Sequence, residues 1–311
     1  MQPGRTPPRR CVRRIDGVML LNKPRGLSSN AALQRVKRFY QAERAGHTGT
    51  LDPLASGLLP ICLGDATKFG GELLESDKRY TAVVRLGETT ATGDAEGPVL
   101  ESRPVDISRE QLNAVLENFR GEISQTPPMY SALKHHGQPL YELARKGETV
   151  ERAPRQVLIR TLELLDFTTP LATLDVLCSK GTYIRTLAED LGAVLGCGAH
   201  LAQLERTEVG PYGLQNSVGL DALEAMSPAE RDELLRPADT LVRKWPSLTL
   251  TEACAARFTF GQAISNADII GGGAAESGEK VRVYSQSGAF LGMGFVDPDG
   301  SLRPKRLVSS A

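Results

Sequence analysis

Short apolar runs and helical spacing alternate over the first part of the chain. Residues 17–22 form an apolar run that predicts a strand, and residues 58–63 form a second run that predicts a buried segment. Between the two runs, apolar residues recur at helical spacing after polar residues that can cap a helix. The capping candidates are Ser28, Ser29 and Asn30, and the apolar positions are Ala32, Leu33, Val36 and Phe39 or Tyr40.

The centre of the chain contains both strand-like and helical patterns. Alternation and apolar runs predict strands over residues 80–85, 157–167 and 171–178. Helical spacing predicts three helices, over residues 107–119, 182–195 and 220–235. Residues 123–154 show no clear apolar period, so we expect this long segment either to be functional or to hold a short helix.

The segment after Trp245 and Pro246 predicts a small β-rich domain. Its strand-like runs, residues 281–284 and 290–296, lead to a turn of sequence Asp-Pro-Asp-Gly. A short helix around Ala255 and a glycine run precede these strands. We therefore expect a domain boundary close to residue 245.

The overall charge of the chain is balanced, but the charges are unevenly distributed along it. The 311 residues include 37 Lys plus Arg and 37 Asp plus Glu, so the net charge is zero, which argues against a strongly basic nucleic-acid binder. The charges are uneven, because residues 1–45 carry eleven basic and two acidic side chains. This basic segment is either a solvated tail or a local positive field for an anion.

Nothing in the sequence predicts a membrane span, a disulfide framework or a metal site. No stretch approaches the roughly 18 apolar residues that a spanning helix needs. The five cysteines are widely spread and odd in number, which favours a reducing, cytoplasmic location. Cys197 and His200 have a C-x-x-H spacing, but a second such pair, which structural zinc usually needs, is missing.

The densest chemical signal is the loop of residues 46–57, with sequence GHTGTLDPLASG. Its glycines and hydroxyls suit a phosphate cradle, but the lysine of a P-loop is missing. Asp52 followed by Pro53 is typical of a turn. Asp52 is also a candidate catalytic carboxylate on a constrained loop. The local pattern alone favours the turn and leaves all three interpretations open.

This loop, with its continuation through residue 69, resembles the signature of the TruB family of tRNA pseudouridine synthases. Further segments resemble the family's motifs in the same order and span nearly the whole chain. They are Leu21-Asn22-Lys23-Pro24, Asp77-Lys78-Arg79-Tyr80, Pro128 to Lys134, Ser179 to Arg185 with Asp190-Leu191-Gly192, and Gly198-Ala199-His200 with Leu204 and Arg206-Thr207. The run Leu54-Ala55-Ser56-Gly57 resembles the stand-alone bacterial branch rather than the guide-RNA-dependent branch.

The resemblance implies an α+β protein with the pseudouridine synthase fold. In this fold a mixed, largely antiparallel central sheet is flanked by helices, and a small PUA-like domain follows. The implied organisation is a basic flexible arm over residues 1–14, a catalytic domain over 15–245 and a PUA-like RNA-binding domain over 246–311. Within the catalytic domain, an insertion at about 123–154 would grip RNA.

The implied activity is isomerisation of uridine 55 in the T loop of tRNA to pseudouridine. The base would flip out of the stack, and an Asp would assist cleavage and re-formation of the glycosidic bond. We expect a monomer that binds the T arm and also the acceptor stem, without cofactor, metal, membrane or obligate protein partner. The alternative is an RNA-binding, tRNA-folding chaperone whose catalysis is secondary. A glycosidase is a weaker hypothesis, because no second carboxylate stands at a matching motif.

The resemblance also implies the catalytic residues. Asp52 matches the catalytic carboxylate, as a nucleophile or a base at the sugar. Arg185 matches its ion-pair partner, although an Arg at this place could also be a surface cation. Tyr80 matches the residue that stacks on the base, although it could equally be core. Asp94, in the segment Thr92 to Gly97, is also family-like but could equally be a turn residue, so we leave it out of the catalytic set.

Four further residues match positions that contact substrate or RNA. Leu204 matches an apolar wall of the pocket, and Tyr183 is a candidate because it lies two residues before Arg185. His47 matches a residue that enters the RNA loop. Lys23 lies in a motif beside the active site, where we expect it to support the Asp52 loop. Leu204 and His47 also have ordinary interpretations, as core and as a hydrogen-bonding loop residue.

Overall fold

The computed structural model describes residues 12–273 and 276–309 of the chain. The helices are α1 (Ser29–Phe39), α2 (Gly70–Leu74), α3 (Arg109–Glu117), α4 (Leu140–Arg145), α5 (Ile184–Val194), α6 (Leu220–Ala225), α7 (Pro228–Glu233) and α8 (Glu252–Thr259). The first strands are β1 (Gly17–Lys23), β2 (Ala45–His47), β3 (Ala55–Leu63), β4 (Lys78–Leu86), β5 (Glu88–Thr90), β6 (Val99–Ser102), β7 (Gly121–Gln125), β8 (Lys134–His135), β9 (Gln138–Pro139) and β10 (Arg155–Thr168). The remaining strands are β11 (Leu171–Cys178), β12 (Ala199–Val209), β13 (Tyr212–Gly213), β14 (Val218–Gly219), β15 (Ser247–Leu250), β16 (Ile269–Gly272), β17 (Lys280–Ser285), β18 (Phe290–Val296) and β19 (Leu302–Leu307).

A ten-stranded sheet forms the larger part of the molecule. Its strand order is β14-β1-β3-β12-β4-β11-β10-β7, with β2 paired to β3 and β13 paired to β12. Only β1–β14 and β3–β12 run parallel among the pairings of this described sheet. The predicted α+β fold with a mixed, largely antiparallel sheet is therefore confirmed. The main apolar core packs on this sheet under α1, α3, α5 and α6.

A second, five-stranded sheet follows in the order β16-β15-β17-β18-β19. Its own core contains Leu250, Phe258 and Val283, so α8 packs on this sheet. The five-stranded sheet contacts the larger unit through aromatic side chains, because the ring of Phe290 on β18 lies 5.3 Å from the ring of Phe69, which precedes α2. The predicted β-rich C-terminal region is thus present and is packed against the larger unit.

Strand β12 lies at the centre of the large sheet, where the sequence patterns predicted no strand. It pairs with β3 on one side and with β4 on the other. Register shifts between Leu201 and Gln203 and between Arg206 and Glu208 interrupt its alternation. Bulges of this kind hide a strand from a period-two pattern, because the apolar side chains no longer fall on every second residue.

Two other expectations need adjustment. The helix predicted over residues 220–235 is wrong in its continuity, because α6 ends before Ser227 and α7 starts anew with a capping box from Ser227 and Glu230. The predicted arm over residues 1–14 lies mostly outside the described residues. In its described part, Arg13 is anchored, because its N–H donates to Gln41 O and its guanidinium pairs with Asp232.

The segment over residues 123–154 contains helix α4 and the hairpin β8–β9. The expectation of a short helix there is confirmed. No described helix has the length and apolar content required for crossing a membrane. Within the described residues no cluster of three or more His, Cys, Asp or Glu suits a metal ion, and His200 instead lies 3.2 Å from Glu88 O through its Nδ1.

The approach of β3 to β12 leaves no room for a side chain at Gly57. Its φ is +100°, and an added Cβ would lie 2.4 Å from Arg206 O. We expect Gly57→Ala to destabilise the fold by about 2–4 kcal/mol, through backbone strain and overpacking. Urea-induced unfolding measures this loss.

Gly71→Ala provides the matched control. An added Cβ at Gly71 meets no atom within 4 Å, and Gly71 lies within helix α2. We expect this change to be neutral or to stabilise by up to about 1 kcal/mol. Equal unfolding midpoints for the two variants would contradict the close packing assigned to Gly57.

Candidate active site

A cavity of about 610 Å³ opens where the loop before β3, the strands β4 and β12 and the start of α5 meet. Five of the seven candidate residues line it, namely Asp52, Tyr80, Tyr183, Arg185 and Leu204. They come from four separate segments of the chain, so only the fold brings them together. The cavity is therefore a candidate active site with one carboxylate, the guanidiniums of Arg185 and Arg206, and an aromatic and apolar wall.

The loop that carries Asp52 is held by hydrogen bonds from the first helix and from the turn before it. Ser29 Oγ, on the buried face of α1, accepts from Leu51 N at 2.7 Å and lies 2.8 Å from Leu51 O. Gly26 N donates to Pro53 O at 2.7 Å. The backbone on both sides of Asp52 is thus fixed, which positions its carboxylate.

Arg185 pairs with Asp52. The guanidinium Nη2 lies 3.0 Å from Asp52 Oδ2, and the Arg185 side chain is only 6% exposed. Its remaining N–H groups donate to Thr92 O at 3.1 Å and to Tyr130 O at 2.5 Å. The interpretation of Arg185 as a surface cation is therefore wrong, because the guanidinium is buried and contacts Asp52, Thr92 O and Tyr130 O.

Asp94 is a second carboxylate on the same guanidinium, and sequence reasoning left it out of the catalytic set. Its Oδ2 lies 3.6 Å from Arg185 Nη1, and its side chain is 4% exposed. The turn interpretation of Asp94 also holds, since its Oδ1 accepts from Thr92 Oγ1 and from Glu96 N. The sequence feature that could have indicated a role for Asp94 is the family-like segment Thr92-Gly93-Asp94. Its position next to Arg185 depends on the fold.

Burial and charge act in opposite directions on Asp52. Burial raises the pKa of this carboxyl, and the neighbouring Asp94 raises it further. Arg185 and Lys23 lower it, but the net pKa of Asp52 stays above its ordinary value. The ion pair therefore keeps the carboxylate form accessible in an environment that otherwise disfavours it.

Tyr80 and Leu204 lie on one face of neighbouring strands. Tyr80 is opposite Arg206 in the β4–β12 register, and Leu204 is opposite Ala82, two residues further along β4. Burial raises the pKa of Tyr80, which is 9% exposed. Tyr183 closes another side, with its N–H donating to Gln125 Oε1 at 3.0 Å just before α5. These side chains offer flat surfaces on which a planar ring can stack.

His47 lines a neighbouring cavity of about 500 Å³ that also includes Asp52 and Arg185. Burial, with a smaller effect of Arg206, lowers the pKa of His47. Its Nδ1 is buried and has no hydrogen-bond partner among the described residues. The neutral ring is thus the favoured form next to the candidate site.

Lys23 is fully buried at the end of β1 and lines neither of these cavities in the described part of the chain. Its Nζ donates to Pro24 O at 2.9 Å and to Leu27 O at 2.7 Å. Burial lowers the pKa of Lys23 to about 8, and Asp52 opposes this shift. Lys23 therefore supports the turn that contacts the Asp52 loop rather than the cavity itself.

The charge on Arg185 gives a prediction about Asp52. In Arg185→Gln the largest opposing charge is lost, so we expect the pKa of Asp52 to rise further. Carboxyl ¹³C NMR titration of the folded protein measures this change. The control is Arg85→Gln. Arg85 lies on β4 and pairs with Glu88 on β5, so its loss should leave the Asp52 titration unchanged. An Asp52 titration that is equal in both variants contradicts the electrostatic role of Arg185.

Three family descriptions match consecutive parts of the chain. Residues 37–184 match "TruB family pseudouridylate synthase (N terminal domain)". Residues 185–243 match "tRNA pseudouridylate synthase B C-terminal domain". Residues 246–308 match "Pseudouridine synthase II TruB, C-terminal". Together the matches extend over both sheets.

Bacterial relatives are similar along nearly their whole length. The tRNA pseudouridine synthase B of Burkholderia mallei is 54% identical over 301 residues, which cover 97% of this chain and 96% of that protein. The protein of the same name from Stutzerimonas stutzeri is 53% identical, with 97% and 98% covered. That from Pseudomonas aeruginosa is 51% identical, with 97% and 99% covered.

Solved structures agree on the fold. The crystal structure of an archaeal box H/ACA sRNP Nop10–Cbf5 complex matches with a TM-score of 0.72 and 24% identity, covering 94% of this chain and 86% of that chain. A Cbf5-Nop10-Gar1 complex matches with a TM-score of 0.71 and the same identity. The three family matches and the bacterial relatives show that the chain belongs to the TruB family of pseudouridylate synthases.

Proposed function

We propose that the protein isomerises uridine 55 in the T loop of tRNA to pseudouridine. One observation carries the proposal: the Asp52–Arg185 ion pair lies in a cavity walled by Tyr80 and Leu204. The similarity to bacterial proteins named tRNA pseudouridine synthase B supports the same substrate class. The choice of uridine 55 rests on the family resemblance of the motifs.

The reaction exchanges one bond of the nucleoside for another. The N1–C1′ bond breaks, the uracil turns in the pocket, and a C5–C1′ bond forms. A proton leaves C5 and a proton is taken up at N1, so atoms and electrons balance without a redox step. The pocket must retain the detached base, and the walls formed by Tyr80, Tyr183 and Leu204 suit this requirement.

Asp52 acts at the sugar in its ionised form, either as nucleophile at C1′ or as the acceptor of a sugar proton. Arg185 favours this form and directs the carboxylate into the cavity. A flipped base reaches Asp52 only outside the RNA stack, and stacking against Tyr80 compensates for the contacts that the base loses. Asp94 holds Arg185 from the opposite side and is a positioning residue.

The contacts to tRNA extend beyond the cavity. His47 and the insertion over residues 123–154 border the site and would contact the opened T loop. The domain over residues 246–311 would contact the acceptor stem, separately from the catalytic domain over 15–245. We further propose that the protein acts as a cytoplasmic monomer. Exposed cations on and after α1 supply local positive charge for RNA phosphates, namely Arg35, Arg38 and Arg44.

Removing the charge of Asp52 tests its catalytic role. In Asp52→Asn we expect pseudouridine formation in a T-arm RNA to fall at least 10⁴-fold, a loss typical of a removed catalytic group. We expect the Kd for tRNA to change by no more than about threefold, because a small neutral side chain leaves the pocket walls intact. Single-turnover kinetics and filter binding provide the two measurements.

Asp221→Asn makes the same chemical change on an exposed position of α6 and should behave as wild type. A folded Asp52→Asn protein with normal turnover contradicts the assignment of Asp52.

The position of the product tests the choice of substrate. Unmodified tRNA transcript is incubated with the protein, and pseudouridine is detected at single-nucleotide resolution. We expect one new pseudouridine, at position 55, and none with Asp52→Asn. Pseudouridine at another position contradicts the proposed specificity, and its absence everywhere contradicts the proposed activity.

A further inference from the structure

Arg206 is a buried cation without a carboxylate partner. It is 1% exposed and is among the largest fully buried side chains of the described structure. Arg206 takes part in no ion pair among the described residues, 12–273 and 276–309. Leaving a buried charge without an opposite charge costs several kcal/mol, and here this cost falls beside the candidate site.

Carbonyl groups of two segments hold the guanidinium in place. Its Nε donates to Leu58 O at 2.8 Å, and its Nη2 donates to Gly49 O at 3.1 Å. Leu58 belongs to β3, and Gly49 lies three residues before Asp52. The side chain therefore links the central sheet to the loop that carries Asp52. These carbonyl dipoles fix its orientation but leave its full positive charge uncompensated.

The charge faces the site through Tyr80. Arg206 and Tyr80 are direct partners in the β12–β4 register, and both line the cavity that contains Asp52. The positive charge of Arg206 opposes the rise that burial causes in the pKa of Tyr80. Burial lowers the pKa of Arg206, but arginine stays protonated because its ordinary pKa is far above neutral pH.

The charges around the cavity are not balanced by Arg185. That guanidinium lies between two carboxylates, Asp52 and Asp94, so the three groups carry a net charge of −1 when ionised. Lys78 is the other cation beside Tyr80; its Nζ donates to Leu74 O, and burial lowers its pKa to about 8. Arg206 is thus the permanent positive charge on the Tyr80 side of the cavity.

This placement matches the charge that the proposed reaction creates. When the N1–C1′ bond breaks, the bonding pair stays with the uracil, which becomes an anion next to Tyr80. The anion then forms the C5–C1′ bond and loses the C5 proton, while N1 takes up a proton. A fixed charge directed at the place where negative charge develops stabilises that state without reorganisation.

We propose that Arg206 is a positioning residue of the reaction: it fixes Tyr80 and the Asp52 loop, and it stabilises the detached uracil anion from behind Tyr80. This proposal rests on the proposed function and adds a residue to it. Because this role is electrostatic, the rate lost on removing the charge of Arg206 should depend on how stable the detached base is as an anion. A purely structural role of Arg206 predicts the same rate loss for every base.

The test compares two substrates under single-turnover conditions, T-arm RNA with uridine or with 5-fluorouridine at the target position. Fluorine withdraws electrons and stabilises the detached base as an anion, so this substrate needs less help from a protein charge. We expect Arg206→Met to slow the loss of uridine about 100-fold and the loss of 5-fluorouridine only about 10-fold. Nucleoside digestion with mass spectrometry follows both, and the Kd for RNA should change by no more than about threefold.

Ser29→Ala is the matched control. It removes the two hydrogen bonds between Ser29 and Leu51, which loosens the Asp52 loop without changing any charge. We expect it to slow both substrates by the same factor. Arg206→Lys keeps the positive charge and should retain more activity than Arg206→Met. If Arg206→Met does not fold, Arg206→Gln, which keeps a donor for Leu58 O or Gly49 O, takes its place.

Three results overturn the proposal. The first is that Arg206→Met slows the reaction of both substrates by the same factor. The second is that a folded Arg206→Met protein reacts with uridine RNA within about threefold of the wild-type rate. The third is that Arg206→Lys is as slow as Arg206→Met. In each case active wild-type protein shows that the proposed function itself holds. Wild-type protein that forms no pseudouridine refutes the proposed function, and the assignment of Arg206 fails with it.

Discussion

The site depends on one guanidinium held between two carboxylates. Arg185 contacts Asp52 at 3.0 Å and Asp94 at 3.6 Å, and almost none of its surface reaches solvent. Asp52 is only partly buried, so a pair of this kind contributes little net stability, because solvent screens the attraction and desolvation of Arg185 offsets it. Its effect lies in the charge state of Asp52, whose burial would otherwise favour the neutral acid. The loop contacts from Ser29 and Gly26 then matter because they keep Asp52 within reach of this partner.

Strand β12 explains how distant parts of the chain reach one cavity. It pairs with β3, which follows the Asp52 loop, and with β4, which carries Tyr80. Because side chains two residues apart share a face, Leu204 and Arg206 lie next to Ala82 and Tyr80. The helix α5, which carries Arg185, packs over this strand through Gly192, where an added Cβ would lie 2.1 Å from Ala199 N. The central strand thus sets the distances between the site's charges.

Sequence patterns predicted those elements that have one buried and one exposed face. The alternation of β4 and β11 follows from this arrangement, and so does the spacing of α1. Strand β12 escaped prediction because its bulges shift the register and because it carries Arg206 in a buried position. A local pattern does not predict a buried arginine here, since the carbonyl groups that accept its hydrogen bonds lie about 150 positions away in the chain.

In the site, too, some features were predictable from the sequence and others depend on contacts between distant residues. The resemblance placed Asp52 with Arg185, and these side chains are in contact, whereas their roles in catalysis stay predictions. Asp94 lies in a family-like segment but could equally be a turn residue, so it was left out of the catalytic set. Its contact with Arg185 spans about 90 residues of sequence, and no local spacing encodes it. Lys23 was expected to support the Asp52 loop, and its Nζ donates to carbonyls of the turn that contacts this loop, without lining the cavity.

The neutral composition of the chain takes on a different meaning once the charges are located. A zero net charge argued against a nucleic-acid partner, because basic binders attract phosphates by their overall field. In the fold, however, the acidic side chains Asp52 and Asp94 are directed at Arg185 inside the site, while Arg35, Arg38 and Arg44 lie on or near the surface. Recognition of a folded RNA loop depends on such local cations and on stacking surfaces, because phosphate contacts orient the RNA and the pocket selects the base. The net charge of this chain therefore carries little information about its partner, and the placement of its surface cations and stacking surfaces carries more.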